Sequence, residues 1–65
     1  MDDILDAEQV GEMLRVHSRT VIRLATQKKL PGFKVGGQWR FRRSAIEEYI
    51  RQQEQEYFDK KDDDK

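Results

Sequence analysis

The dipeptide Pro31-Gly32 divides the chain into two kinds of pattern. Proline has no N–H and cannot continue a helix, and the glycine completes the break. Ahead of it, apolar residues recur at helical spacing; after it, residues 33–42 alternate with a period of two. A chain of 65 residues that changes period at its middle has room for one small mixed domain. A domain of that size buries only about 60% of the surface its unfolded chain exposes, which leaves little room for an enclosed catalytic cleft.

Two short helices are expected ahead of the break. Residues 1–5 read as a flexible acidic lead-in. Asp6 has the chemistry of an N-cap, Gln9 stands at capping-box spacing, and Leu5 and Val10 occupy the staple positions. The first helix then covers residues 7–15, with Val10, Met13 and Leu14 as its buried stripe. Gly11 inside it is either a point of close approach by a second helix or a tolerated weak position, costing up to about 1 kcal/mol relative to Ala. Val16 and His17 form the turn, and either His17 or Ser18 caps the second helix. That helix ends near Lys29, with Lys28 and Lys29 in a last turn where cations suit the dipole. Two helices joined by so short a turn cross steeply, which is the helix-turn-helix arrangement.

Beyond the break, Phe33, Val35, Trp39 and Phe41 alternate with Lys34, Gln38, Arg40 and Arg42 around Gly36-Gly37. This predicts a two-stranded hairpin with an aromatic face docked on the helices and a basic face outside. Trp39 is then a core residue rather than a base-stacking one. Ser44 and Glu47 have capping-box spacing for a third helix, along which Ile46, Tyr49, Ile50 and Gln53 follow the helical repeat, with Tyr57 as its extension. Residues 6–55 thus form the domain, and residues 56–65 read as a charged disordered tail. The closing Lys60-Lys61-Asp62-Asp63-Asp64-Lys65 is either native or an appended tag-like sequence.

Charge is segregated although the net charge is zero. Residues 1–9 hold four acids and no base, whereas residues 10–43 hold nine bases against the single acid Glu12. A basic centre between acidic ends points to a polyanion partner. On the second helix, Val21, Leu24, Ala25 and the stem of Lys28 share one side, while Arg19, Ile22, Arg23 and Thr26 share the other. The second set suits the major groove of DNA, where Arg pairs bidentately with guanine and an apolar tip meets a thymine methyl. Arg23 is the foremost candidate for a base edge; Arg19 suits a base or a phosphate. Ser18 and Thr20, near a helix N-terminus, suit a phosphate.

Other chemistries lack their residues. There is no cysteine, and His17 has no second histidine with which to bind a metal. No converging acid–base or nucleophilic set is present, so no enzymatic activity and no cofactor are expected. No apolar run approaches the roughly 18 residues of a membrane span, and no signal-peptide pattern opens the chain, so neither a span nor a leader is expected. A cytoplasmic, monomeric protein with no membrane association is expected, binding repeated sites side by side.

The pattern Gln9-Val10-Gly11-Glu12, Arg19-Thr20-Val21 with Leu24, Leu30-Pro31, and Lys34-Val35-Gly36-Gly37-Gln38-Trp39-Arg40-Phe41 with Ser44, Ile46 and Tyr49 runs through most of the chain. It resembles the excisionase-type, MerR-like family of DNA-binding domains. The resemblance implies a mostly α fold with a small β-hairpin, a winged helix-turn-helix. It also implies that the second helix enters the major groove of double-stranded DNA through Ser18, Arg19, Thr20 and Arg23. The hairpin wing would reach backbone or minor groove through Lys34, Gln38, Arg40 and Arg42. Such a protein acts either as a recombination directionality factor beside an integrase or as a small transcriptional regulator beside RNA polymerase, encoded by a bacterium, phage or mobile element. The chain departs from the family where Asp6, Gly11 and His17 replace the more usual Ser or Thr, Ala, and Ser. A protein-interaction adaptor on the same scaffold, without nucleic acid, is the rival reading; it requires an exposed apolar patch.

Overall fold

The computed structural model describes residues 2–63. Its elements run β1 (Ile4–Leu5), α1 (Ala7–Leu14), α2 (Ser18–Thr26), β2 (Phe33–Val35), β3 (Gln38–Arg42) and α3 (Arg43–Asp63). The three strands form an antiparallel sheet in the order β1-β3-β2. This is a mostly helical winged helix-turn-helix.

Helix α1 starts as its sequence requires. The Asp6 carboxylate accepts from the Gln9 N–H at 2.8 Å, and the Gln9 side-chain oxygen accepts from the Asp6 N–H at 2.9 Å. The helix ends at Arg15, which is left-handed at φ 63°. The Val16 N–H then bonds back to the Gly11 carbonyl at 2.9 Å, and the Arg15 N–H to that of Glu12 at 3.3 Å. These two bonds make a Schellman motif. Gly11 is a point of close approach: a Cβ there would lie 2.6 Å from the Val16 backbone oxygen and 3.4 Å from the Ser18 nitrogen.

His17 is the N-cap of α2 by its backbone, without a side-chain cap bond, so Ser18 is the first helical residue. The helix stops at Thr26, short of the expected end near Lys29. The reason is a second Schellman motif. Lys28 is left-handed at φ 62°, the Lys29 N–H reaches the Leu24 carbonyl at 2.9 Å, and the Lys28 N–H reaches that of Ala25 at 3.0 Å. Lys28 is exposed as a whole, and it borders a surface hollow together with Ala25 and Leu30, on the side of α2 expected for its stem. A non-glycine residue in this backbone region costs roughly 1–2 kcal/mol relative to the right-handed one.

The core consists of Leu5, Val10, Val21, Ala25, Leu30, Phe41 and Ile46, with Trp39, Leu24 and Tyr49 among the partly buried residues packed on it. Every element except β2 supplies a fully buried side chain, or more than one. Strand β2 is an edge, and its position corrects the expected faces of the hairpin. Gly36 and Gly37, both at positive φ, make a two-residue turn, so Val35 pairs with Gln38, Lys34 with Trp39 and Phe33 with Arg40. Paired residues point to the same side of a sheet. Lys34, Trp39 and Phe41 therefore share the inner face, while Phe33, Val35, Gln38, Arg40 and Arg42 share the outer one. Phe41 is 0% exposed, but Phe33 is 40% and Val35 57% exposed. Simple alternation fails because a two-residue loop shifts the parity between the two strands.

Residues 2–5 differ from the flexible lead-in expected of residues 1–5, of which Met1 lies outside the described residues. Ile4 pairs with Arg42 and Leu5 with Phe41. The Asp3 carbonyl accepts from the Arg43 N–H at 2.9 Å, and the Asp3 carboxylate meets the Arg43 guanidinium at 3.1 Å. The Asp2 carboxylate accepts from the Ser44 N–H at 3.0 Å and from the Ser44 hydroxyl at 2.7 Å. The expected Ser44–Glu47 capping box is thus replaced by an acid from the far end of the chain, because β1 lays Asp2 against the start of α3. Within α3, Ile46 is buried and Tyr49 and Ile50 are partly buried, whereas Gln53 and Tyr57 are exposed. Residues 56–63 are helical where disorder was expected, continuing a helix whose preceding run, residues 47–56, is rich in the good helix formers Glu, Gln and Arg. Residues 64–65 of that expected tail lie outside the described residues.

Candidate nucleic-acid interface

The faces of α2 are those that its periodicity predicts. Val21 and Ala25 are buried, and Leu24 is partly so; Arg19, Ile22, Arg23 and Thr26 are exposed. With Ile22 between the two arginines, the outward face is cationic with an apolar centre. Among the described residues three ion pairs form: Asp2 with Arg42, Asp3 with Arg43, and Glu48 with Arg51. None of them engages Arg19, Arg23, Lys34 or Arg40. Ser18 and Thr20 are partly buried in the first turn, where the Thr20 N–H is taken by the His17 carbonyl at 2.9 Å.

An open groove of about 580 Å³ separates the start of α2 from the wing. Ser18 and Ile22 line it from the helix, and Lys34, Gln38, Trp39 and Arg40 from the hairpin, with Asp6 and Glu8 of the α1 start also at its surface. The fold thus brings Ser18 together with three of the four expected wing residues. Arg19, Thr20 and Arg23 do not line this groove.

Arg40 is held in place: its Nη1 donates to the Trp39 carbonyl at 2.8 Å and its Nη2 to the Gln38 side-chain oxygen at 3.2 Å. Lys34 lies with its Nζ 5.6 Å from the Trp39 ring centroid, a cation–π contact across the strand pair. Lys34 therefore faces α2 instead of joining the outer basic face expected of it. Arg42 stands at the base of the wing, opposite Ile4, with its Nη1 3.6 Å from the Asp2 carboxylate. The Ser44 hydroxyl and N–H, with Arg42 adding to them, hold the Asp2 carboxyl below the usual carboxylate range. Asp2 is thus firmly anionic and shares the charge of Arg42.

Sequence reasoning missed two features here. The first is Asp2, whose target is distant along the chain. The second is the exposed apolar set of Ile4, Phe33 and Val35 on the outer sheet face. The two-residue turn was the signal that could have revealed Phe33 and Val35. Among the described residues no group of His, Cys, Asp or Glu could hold a metal ion, and no helix is long and apolar enough to cross a membrane.

Residues 4–54 match a family model described as a helix-turn-helix domain. No curated protein and no solved structure matches the chain.

Proposed function

The chain belongs to the helix-turn-helix domain family, and on that premise we propose that it is a sequence-specific double-stranded DNA-binding protein of the excisionase-type, MerR-like kind, without enzymatic activity. The observation that carries this reading is the outward face of α2. Among the described residues it presents Arg19 and Arg23 with no carboxylate partner, beside a wing that presents Gln38 and a braced Arg40.

In this reading α2 lies in the major groove. Arg23 pairs with a guanine edge, Ile22 meets a thymine methyl, and Arg19 serves a base or a phosphate. The first turn of α2, with Ser18, Thr20 and no side-chain cap, takes a phosphate on its free N–H groups. Lys34, Gln38 and Arg40 hold the neighbouring backbone or minor groove. Arg42 contributes less, because Asp2 shares its charge. Phosphate contacts fix register, whereas base contacts select sequence. The protein acts in the cytoplasm as a monomer binding repeated sites side by side. It serves as a recombination directionality factor beside an integrase or as a small regulator beside RNA polymerase; mapping bound sites to attachment sites or to promoters separates the two.

The test is titration of wild type, Arg23→Ala and Arg40→Ala against a duplex selected from a random pool and against an unselected duplex, at several salt concentrations. Arg23→Ala is expected to lose about 1–3 kcal/mol on the selected duplex and to relax its sequence preference. Arg40→Ala is expected to weaken both duplexes alike and to flatten the salt dependence. Affinity that ignores salt would sink the reading.

A protein-interaction adaptor is the second reading. Ile4, Phe33 and Val35 favour it, since they expose apolar surface together on one sheet face. It predicts no salt-dependent DNA binding by the wild type.

A further inference from the structure

The groove between the start of α2 and the wing has walls of opposite charge. Lys34 and Arg40 stand on the wing wall, and Asp6 and Glu8, from the start of α1, stand on the other. Asp6 is committed to the cap of α1, where its carboxylate accepts from the Gln9 N–H. Glu8 is exposed, and among the described residues it forms no ion pair. Glu8 also borders the neighbouring hollow along α1 and the turn, and Ser18, the first residue of α2, borders both. Glu8 and Ser18 thus stand together on the ridge between the two hollows.

Opposite charges facing across an open groove attract, yet these stay apart because the cations are held on their own wall. Arg40 donates to the Trp39 carbonyl and to the Gln38 side chain, and Lys34 lies over the Trp39 ring. The Glu8 carboxylate therefore keeps its charge toward the groove. A phosphate entering there is drawn to the wing wall and pushed away from the α1 wall. Two unit charges a few ångströms apart in water interact strongly enough to change an equilibrium about fivefold. The effect fades beyond a screening length of about 8 Å at 0.15 M salt.

We infer that Glu8 is a specificity-determining residue that acts by repulsion: it bars the phosphate backbone from the α1 wall of the groove and so keeps the strand along Lys34 and Arg40. This rests on the DNA-binding reading above and extends it to α1, outside the exposed face of α2 and outside the wing. On a selected duplex the base contacts of α2 already hold the backbone on the wing wall, away from Glu8. On an unselected duplex no base contact fixes the register, so the backbone samples both walls and meets the carboxylate. The repulsion thus falls mainly on the wrong sequences. An acid in the first turn of a helix also complements the dipole. That role affects stability alone and leaves the preference between duplexes unchanged.

The experiment compares wild type, Glu8→Gln, the charge-conserving Glu8→Asp, and Glu12→Gln, which removes an acid of the same helix that borders the second hollow but not the groove. Each is titrated by fluorescence anisotropy against a duplex selected from a random pool by the wild type and against an unselected duplex, and each is melted by circular dichroism. At 0.15 M salt Glu8→Gln should bind the unselected duplex about fivefold more tightly and the selected one by less than about twofold, and the gain should shrink as salt is raised. Glu8→Asp and Glu12→Gln should keep the wild-type preference. A Glu8→Gln variant that binds both duplexes as wild type does, or tightens both by the same factor, overturns the assignment. So does a Glu12→Gln variant that behaves like Glu8→Gln. A loss confined to the selected duplex overturns it too, since Glu8 would then accept a hydrogen bond from a base. A wild-type protein that binds neither duplex sinks the DNA-binding reading itself, which is a different result from wild-type binding whose preference Glu8→Gln leaves unchanged.

Discussion

Helix α2 and the wing hairpin both carry cations, and both have one buried and one exposed face, but those faces arise differently. In α2 each residue's direction follows from its position along a single continuous helix. The side chains step about 100° per residue, so Val21 and Ala25 turn inward and Arg19, Ile22 and Arg23 outward whatever surrounds them. In the hairpin, each strand alternates, but the phase between strands is set by the length of the turn. Gly36-Gly37 pairs Val35 with Gln38, so the odd-numbered residues of β2 join the even-numbered residues of β3. The apolar side chains of β2 are thereby left outside beside Arg40 and Arg42, and Lys34 is turned inside onto Trp39. A helical face can be read residue by residue; a hairpin face needs the loop counted first.

The largest expected effect tests the faces of the hairpin. Phe41→Ala removes a fully buried ring and should cost about 3–5 kcal/mol in urea unfolding, most of the stability of a domain this small. Phe33→Ala, on the opposite face, should cost well under 1 kcal/mol. Equal costs would mean that the two rings share a face after all.

The next tests how α2 is seated. Gly11→Ala improves helix propensity by as much as about 1 kcal/mol. The added methyl would nevertheless lie 2.6 Å from the Val16 backbone oxygen, which has little freedom to retreat. Overpacking should win, with a net loss of about 1–3 kcal/mol by chemical denaturation. A stabilised variant would show that α1 and the turn are not in close contact.

A smaller difference separates the two ends of the wing. Arg40→Ala should weaken DNA binding about fivefold at 0.15 M salt, the expectation for one lost phosphate contact. Arg42→Ala should have a lesser effect, because Asp2 lies 3.6 Å from its guanidinium. Anisotropy titrations that rank Arg42 above Arg40 would overturn the picture of the wing tip as its working end.

The smallest effect concerns Asp2. Its folded pKa is depressed by the Ser44 hydroxyl and N–H. Its contribution is therefore present above the unfolded value of about 3.9 and is lost as pH falls through the folded value. Asp2→Asn should melt slightly below wild type at pH 7, and the gap should close below about pH 4. A gap that persists at low pH would mean that the Asp2 carboxylate charge does not secure the start of α3.

Much of the candidate interface was legible because it sits on a helix. Arg19, Ile22, Arg23 and Thr26 were placed by periodicity alone, and the Asp6–Gln9 cap by spacing alone. Arg15 and Lys28 were not legible as left-handed residues, because the expected signal there is glycine. Lys34 was placed on the wrong face by alternation carried through the turn. Ile4-Leu5 is too short for any pattern and becomes a strand only because β3 offers a free edge.

By itself the sequence determined whatever depends on neighbours a few residues apart. That covers the amphipathic helices, the break at Pro31-Gly32, the tight turn at Gly36-Gly37 and the cationic outward face of α2. Tertiary structure decided whatever joins residues far apart in the chain: Asp2 on Ser44, β1 on β3, and the groove between Ser18 and Arg40. The physical reason is range. Helical geometry and turn chemistry act over one or two turns, whereas a strand edge or a distant cap finds its partner only once the core around Phe41 has closed.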